Sequence, residues 1–184
     1  PPMAAGLFGY FGYDMIRHIE TIPDSNKSAI DMDESLLLRP SLIAIFDRLK
    51  DSITLITQIR PSDWPDAATA WKLADSILSS AIAYLDRPLP PTEFGKEDAP
   101  LPEPKANMTK AAFLKMVEKG KDYIRAGDVF QIVLSQRFSI PFDLSPFNLY
   151  RSLRRLNPSP FLFHFNFGNL ALVGSSPEIL VRLR

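Results

Sequence analysis

Asn157-Pro158-Ser159-Pro160-Phe161-Leu162-Phe163-His164-Phe165-Asn166-Phe167-Gly168-Asn169-Leu170-Ala171-Leu172-Val173 decides the fold class. Phenylalanines at 161, 163, 165 and 167 alternate with Leu162, His164 and Asn166, the period of a strand with one aromatic face. Gly168-Asn169 is a turn signal and Leu170 to Val173 runs back, so the stretch predicts an antiparallel hairpin. Just upstream, Ser145-Pro146 predicts a helix start, with serine as cap and proline at the first helical position. That helix runs to about Leu156, where Asn157-Pro158-Ser159-Pro160 breaks it.

Further upstream, Thr109 caps a predicted helix reaching about Arg125. Phe113, Met116, Val117 and Ile124 form its buried stripe, and Gly127 ends it. Asp128 to Ile140 then alternates as a strand. Phe130, Ile132, Leu134, Gln136 and Phe138 point one way; Val129, Gln131, Val133, Ser135 and Arg137 point the other. Residues 88–104 hold six prolines, which suits a linker or an extended crossing rather than a hydrogen-bonded element. Before them, Asp66 to Leu85 repeats apolar residues at helical spacing, with Asp66 as N-cap and Trp71 as a core anchor. Residues 41–46 and 52–59 predict a hairpin turning at Asp47 to Asp51, and residues 24–35 an exposed loop. Gly6-Leu7-Phe8-Gly9-Tyr10-Phe11-Gly12-Tyr13 suits either a strand that another backbone approaches closely or a hairpin corner. Tight-turned strands with helices against them give an α+β fold, with mixed or antiparallel sheets. The division expected is 1–87, strand-rich with one helix; 88–107, a proline-rich linker; and 108–184.

The 184 residues carry 21 acidic and 21 basic side chains, which gives no electrostatic case for nucleic acid or an anionic membrane surface. Cysteine is absent, so disulfides, thiolate nucleophiles and cysteine metal sites are excluded. No stretch approaches the roughly 20 apolar residues that span a bilayer, and no signal peptide is evident, so a cytoplasmic protein is expected. Pro1 is not an initiator methionine, and Ile179 to Arg184 reads as a strand that stops without a turn. Both suggest a portion excised from a longer chain.

Three places invite chemistry. Gln131, Ser135 and Arg137 share one strand side, which suits a solvated sheet face or a polar wall against a ligand. Asn157-Pro158-Ser159-Pro160-Phe161-Leu162-Phe163 suits a helix stop before a core strand, or a rigid pocket of aromatic and amide contacts. Gly174-Ser175-Ser176-Pro177-Glu178 puts a carboxylate after a turn. Partial desolvation there favours the protonated form and general acid work; a plain surface turn is the other reading.

Taken in order and spacing, Gly127 to Phe138, Leu156 to Phe163 and Leu172 to Glu178 closely resemble anthranilate synthase component I, of the chorismate-utilising enzymes. Gly9-Tyr10-Phe11-Gly12-Tyr13-Asp14 also looks like that family. The resemblance implies a partial copy of its fold, with 108–184 the start of the chorismate-binding catalytic region. It implies an enzyme, a lyase that aminates chorismate and eliminates pyruvate to give anthranilate for tryptophan biosynthesis. It also implies magnesium on the substrate carboxylates, a glutaminase subunit (component II) supplying ammonia, and feedback inhibition by L-tryptophan. By resemblance, Glu178 is the acid that protonates the leaving hydroxyl. Gln131 stands where water-using isochorismate and salicylate synthases carry a lysine that activates water. The tryptophan-site candidates are Asn157, Pro158, Pro160, Phe161, Leu162 (often methionine in the family), Phe163 and Gly174. The Leu-Leu-Glu-Ser element that completes this site in the family is absent. So are the downstream segments that supply the magnesium ligands, most chorismate contacts and a catalytic histidine. The 184 residues alone are therefore expected to be inactive. The alternatives are an aminodeoxychorismate synthase of folate synthesis and a non-catalytic tryptophan-binding module.

Overall fold

Local signals build most elements of the computed structural model, which describes residues 4–24, 30–91, 100 and 102–183. The chain divides into two compact units, residues 1–90 and 91–184.

In the first unit, β1 (Phe8–Phe11) pairs antiparallel with β2 (Ser35–Leu38), Gly9 opposite Leu37. Both alternatives for the glycine stretch are thereby decided in favour of close approach. A Cβ at Gly9 would lie 1.8 Å from the Leu36 carbonyl oxygen, and one at Gly12 2.8 Å from that of Glu34. The hairpin β3 (Leu42–Asp47) and β4 (Ser52–Thr57) forms as expected. Its turn is held by the Asp47 carboxylate, which accepts from the N–H of Leu49 at 3.0 Å and of Lys50 at 3.1 Å. Asp51 adopts a left-handed φ of 47°, a conformation aspartate tolerates better than most residues.

Helix α1 (Ala67–Leu85) starts at Asp66, whose carboxylate accepts from the Thr69 N–H at 2.9 Å and the Thr69 hydroxyl at 2.7 Å. Trp71 is not a core anchor: it is 72% exposed. The inward stripe is Ala70, Ala74, Ile77, Leu78 and Ala81, so the middle of the helix turns in as its spacing predicts, while Ala70 takes the place expected of Trp71 and the end positions Ala67 and Leu85 stay exposed. α1 packs on β4, and small side chains let helix and hairpin come close.

The Thr69 hydroxyl, then the Thr69 N–H, hold the Asp66 carboxyl below its ordinary 3.8. The folded state thus binds this proton more weakly than the unfolded chain. The cap's contribution is full above the unfolded value and is lost as pH falls through the lower folded one. We expect the helical circular dichroism of α1 to weaken only in that acid range. Asp66→Asn, an equally good cap with no proton to gain, should remove the dependence.

In the second unit, β5 (Lys105–Ala106) precedes α2 (Lys110–Ala126). Thr109 Oγ1 caps α2 by accepting from the Ala112 N–H at 3.2 Å. Gly127, at φ 83°, closes it, with the Asp128 N–H reaching the Tyr123 carbonyl at 3.0 Å. Phe113, Met116 and Val117 are half-buried, but Ile124 is exposed. The strand expected over 128–140 is mostly not a ladder: only β6 (Phe138–Ser139) pairs, with β5. Residues 129–137 have no strand partner among the described residues. The alternation is real, but pairing needs a second strand. Ile132 instead packs on α2 at Gly120, where a Cβ would lie 3.0 Å from Ile132 Cγ2.

Ser145 and Pro146 start α3 (Pro146–Leu156), and β7 (Phe161–Asn166) and β8 (Ala171–Ser176) form the expected hairpin, with α3 packed on it. Residues 179–183 form no strand, and Arg184 lies outside the described residues, as do 25–29 of the expected loop and 92–99 and 101 of the proline-rich segment. The α+β class holds, its described sheets being antiparallel pairs. No helix among the described residues is long and apolar enough to cross a membrane.

Ala70, 4% exposed, is the sole buried hydrophobic side chain among the described residues. The chain exposes 16261 Å², against about 8,900 Å² for an ordinary folded monomer of its 20.7 kDa mass.

Candidate functional site

The second unit gathers most of the predicted site residues on one hairpin. Asn157 ends α3, and its carbonyl accepts from Ser175 Oγ at 2.7 Å. The helix stop is therefore tied to β8. Pro158 and Pro160 flank Ser159, whose hydroxyl is buried without a hydrogen-bond partner. A buried orphan hydroxyl is costly unless something else satisfies it.

The hairpin has two faces. Leu162 and His164 pair across the strands with Ser175 and Val173. The Phe147 ring of α3 meets His164 edge-on at 5.6 Å, and Tyr150 lies 6.0 Å from it, so α3 covers this side. The other face carries Phe161, Phe163 and Phe165 opposite Ser176, Gly174 and Leu172. Phe163 and Phe165 lie 5.5 Å apart, Phe165 and Phe167 5.9 Å. The Phe163 ring lies over Gly174, where a Cβ would fall 2.2 Å from the ring. Phe163 is nevertheless 37% exposed. An open row of aromatic rings beside glycine backbone can take a flat apolar ligand by stacking.

Glu178 follows β8 by two residues, so the candidate acid lies just beyond the strand that carries Gly174. Contrary to the desolvation expected from its sequence position, Glu178 is exposed. Ser176 Oγ donates to its backbone carbonyl at 3.1 Å, while its carboxylate has no hydrogen bond or ion pair among the described residues. The reason is the missing strand: without a ladder beyond Ser176, nothing here covers the carboxylate.

Gln131 lies on the extended segment after α2 and is also exposed. That segment is anchored downstream, where Gln136 Nε2 donates to the Met108 carbonyl at 3.3 Å and the Arg137 N–H to Asn107 Oδ1 at 3.0 Å. Asn157, Phe161, Leu162, Phe163 and Gly174 thus come together on one hairpin and its helix stop. Gln131 and Glu178 sit on separate extended segments. Among the described residues no three His, Asp or Glu groups stand together as a cluster that could hold a metal ion.

The residue-level reading missed Ser175 and Ser159. Ser175 was findable: its place in the alternation puts it on the Leu162 and His164 side, facing the helix stop. Ser159 gave no signal beyond lying between prolines.

A family described as chorismate binding enzyme matches residues 1–184. "Anthranilate synthase component 1" of Cereibacter sphaeroides is 48% identical over 184 residues, covering 100% of this chain and 37% of that protein. The protein of the same name in Thermus thermophilus is 36% identical over 182 residues, covering 99% and 37%. A crystal structure of anthranilate synthase component I from Streptococcus pneumoniae TIGR4 superposes with a TM-score of 0.79 at 33% identity, covering 95% of this chain and 39% of that one. The chain thus spans well under half the length of these relatives.

Proposed function

The chain belongs to the chorismate-binding enzyme family, and from that premise we propose that it is part of an anthranilate synthase component I. The reaction is chorismate plus ammonia to anthranilate, pyruvate and water, a lyase step of tryptophan biosynthesis. The names of its relatives support this choice within the family.

The observation that carries the choice of nucleophile is Gln131. A carboxamide has no basic lone pair to take a proton from water, so this position does not generate hydroxide. Ammonia needs no such activation. Its nitrogen bonds to C2 of chorismate while the C4–O bond breaks, and Glu178 delivers the proton that lets the hydroxyl leave as water. Loss of the enolpyruvyl group as pyruvate, with the C2 proton, then makes the ring aromatic.

In this reading magnesium neutralises the substrate carboxylates through ligands beyond residues 1–184, and a glutaminase subunit supplies the ammonia. Residues 108–184 begin the chorismate-binding region, separated by the 88–107 linker from 1–87. L-Tryptophan inhibits by stacking on the face of Phe161 and Phe163, beside Gly174, with Asn157, Pro158 and Pro160 shaping the rim and Leu162 backing the strand from the α3 side. The partly exposed Phe163 ring in that aromatic row supports a ligand there. The excess of exposed surface supports a requirement for further protein to complete the fold, so residues 1–184 alone are inactive.

Anthranilate fluorescence tests this. The full chain, meaning residues 1–184 within a protein of its relatives' length, should turn over chorismate with magnesium and ammonium, and tryptophan should suppress it. Phe163→Ala should raise the half-inhibitory tryptophan concentration by about tenfold through lost stacking, with little change in kcat. Turnover by residues 1–184 alone, or tryptophan inhibition indifferent to Phe163, counts against the reading.

A further inference from the structure

The first unit contains a cavity that none of the chemistry above uses. It has a volume of about 350 Å³ and opens between the β3–β4 hairpin and α1. That volume is within the range of small-molecule sites. Its apolar lining includes Trp64, Leu73 and Ile77, with Ala70 and Ala74 giving the depth because their side chains are short. Its polar lining includes Arg39 and Arg60. Neither has an ion pair or a side-chain hydrogen bond among the described residues. Asp63, the one carboxylate in the lining, accepts from the Ser62 hydroxyl at 3.0 Å. The lining therefore carries a net positive charge.

Arginines used only for solubility have no need to share one concavity with a tryptophan and two aliphatic side chains. Two forked donors beside an apolar wall match a ligand with a carboxylate at one end and a flat hydrocarbon ring at the other. We propose that this cavity is a binding site for a small cyclic or aromatic carboxylate, held by Arg39 and Arg60 with its ring against Trp64. Its residues are all in the first unit, so it is a different site from the aromatic hairpin face and from Glu178. It does not depend on the identity of the reaction.

Benzoate is the probe, titrated into the full chain while tryptophan fluorescence is followed. Benzoate should quench a component that disappears in Trp64→Phe. Arg39→Gln and Arg60→Gln should each weaken binding by about tenfold, the loss expected for a charge-assisted pair. Chorismate turnover should be unchanged in all three. Both guanidinium groups lack internal partners, so their substitution leaves the fold intact, which circular dichroism checks. Absence of quenching in the native protein overturns the proposal. So does quenching that survives Trp64→Phe, or an affinity unaffected by either arginine variant. Displacement of benzoate by inorganic phosphate at equal concentration also overturns it, since that marks an unselective anion patch.

Discussion

If Glu178 is the proposed general acid, Glu178→Gln should lower kcat for anthranilate formation in the full chain by about 10²–10⁴-fold, the contribution of a positioned general acid. Hydroxide is a poor leaving group, and the substitution keeps the shape of the side chain while removing its transferable proton. Tryptophan binding should be untouched, because Phe163 and Gly174 lie on the hairpin and not at its trailing end. Glu178 is exposed in residues 1–184, so its function as an acid requires cover from further protein. The same substitution should therefore leave the stability of the 1–184 fold unchanged. Stopped-time assays with ammonium separate the outcomes: a kcat within threefold of the native value removes Glu178 from the mechanism.

Gly9→Ala destabilises the first unit by about 3 kcal/mol or more, at the upper end of overpacking costs. The added Cβ would stand 1.8 Å from the Leu36 carbonyl oxygen, and that atom is backbone, held in the β1–β2 ladder. It cannot swing aside as a side-chain tip would, so the pairing itself must open. Gly174→Ala meets instead the Phe163 ring, which can rotate, and should cost less. Denaturant unfolding of the two variants measures the difference. Equal, small losses would mean that β1 and β2 do not pair as described.

What the sequence made legible was local. Asp66, Thr109 and Ser145-Pro146 announce helix starts and Gly127 a stop, because a cap acts within one turn of chain. The Phe161 to Val173 hairpin was legible because its turn joins adjacent strands. Longer-range facts were not. The alternation of 128–137 is that of a strand, but only contact with another strand makes a ladder, and no pattern within the segment names that partner. The inward face of α1 fell on Ala70, not Trp71, because the hairpin it packs on favours a small residue at the contact. The exposure of Glu178 follows from the same absence of neighbours.

Site chemistry was less legible than the fold. Alternation alone put Phe161 and Phe163 on one face, which the hairpin keeps. Gly174 joined them only through the register of β7 against β8. No spacing argument linked Arg39 to Arg60, since the cavity they share depends on how α1 seats against the hairpin.

The most direct test of the central claim is the fate of nitrogen. The full chain is given chorismate, magnesium and ¹⁵N-labelled ammonium, and the products are separated and weighed by mass spectrometry, with pyruvate assayed alongside. The account predicts anthranilate carrying one labelled nitrogen, with one pyruvate released for each. An unlabelled hydroxylated product, or labelled aminodeoxychorismate without pyruvate, would contradict it.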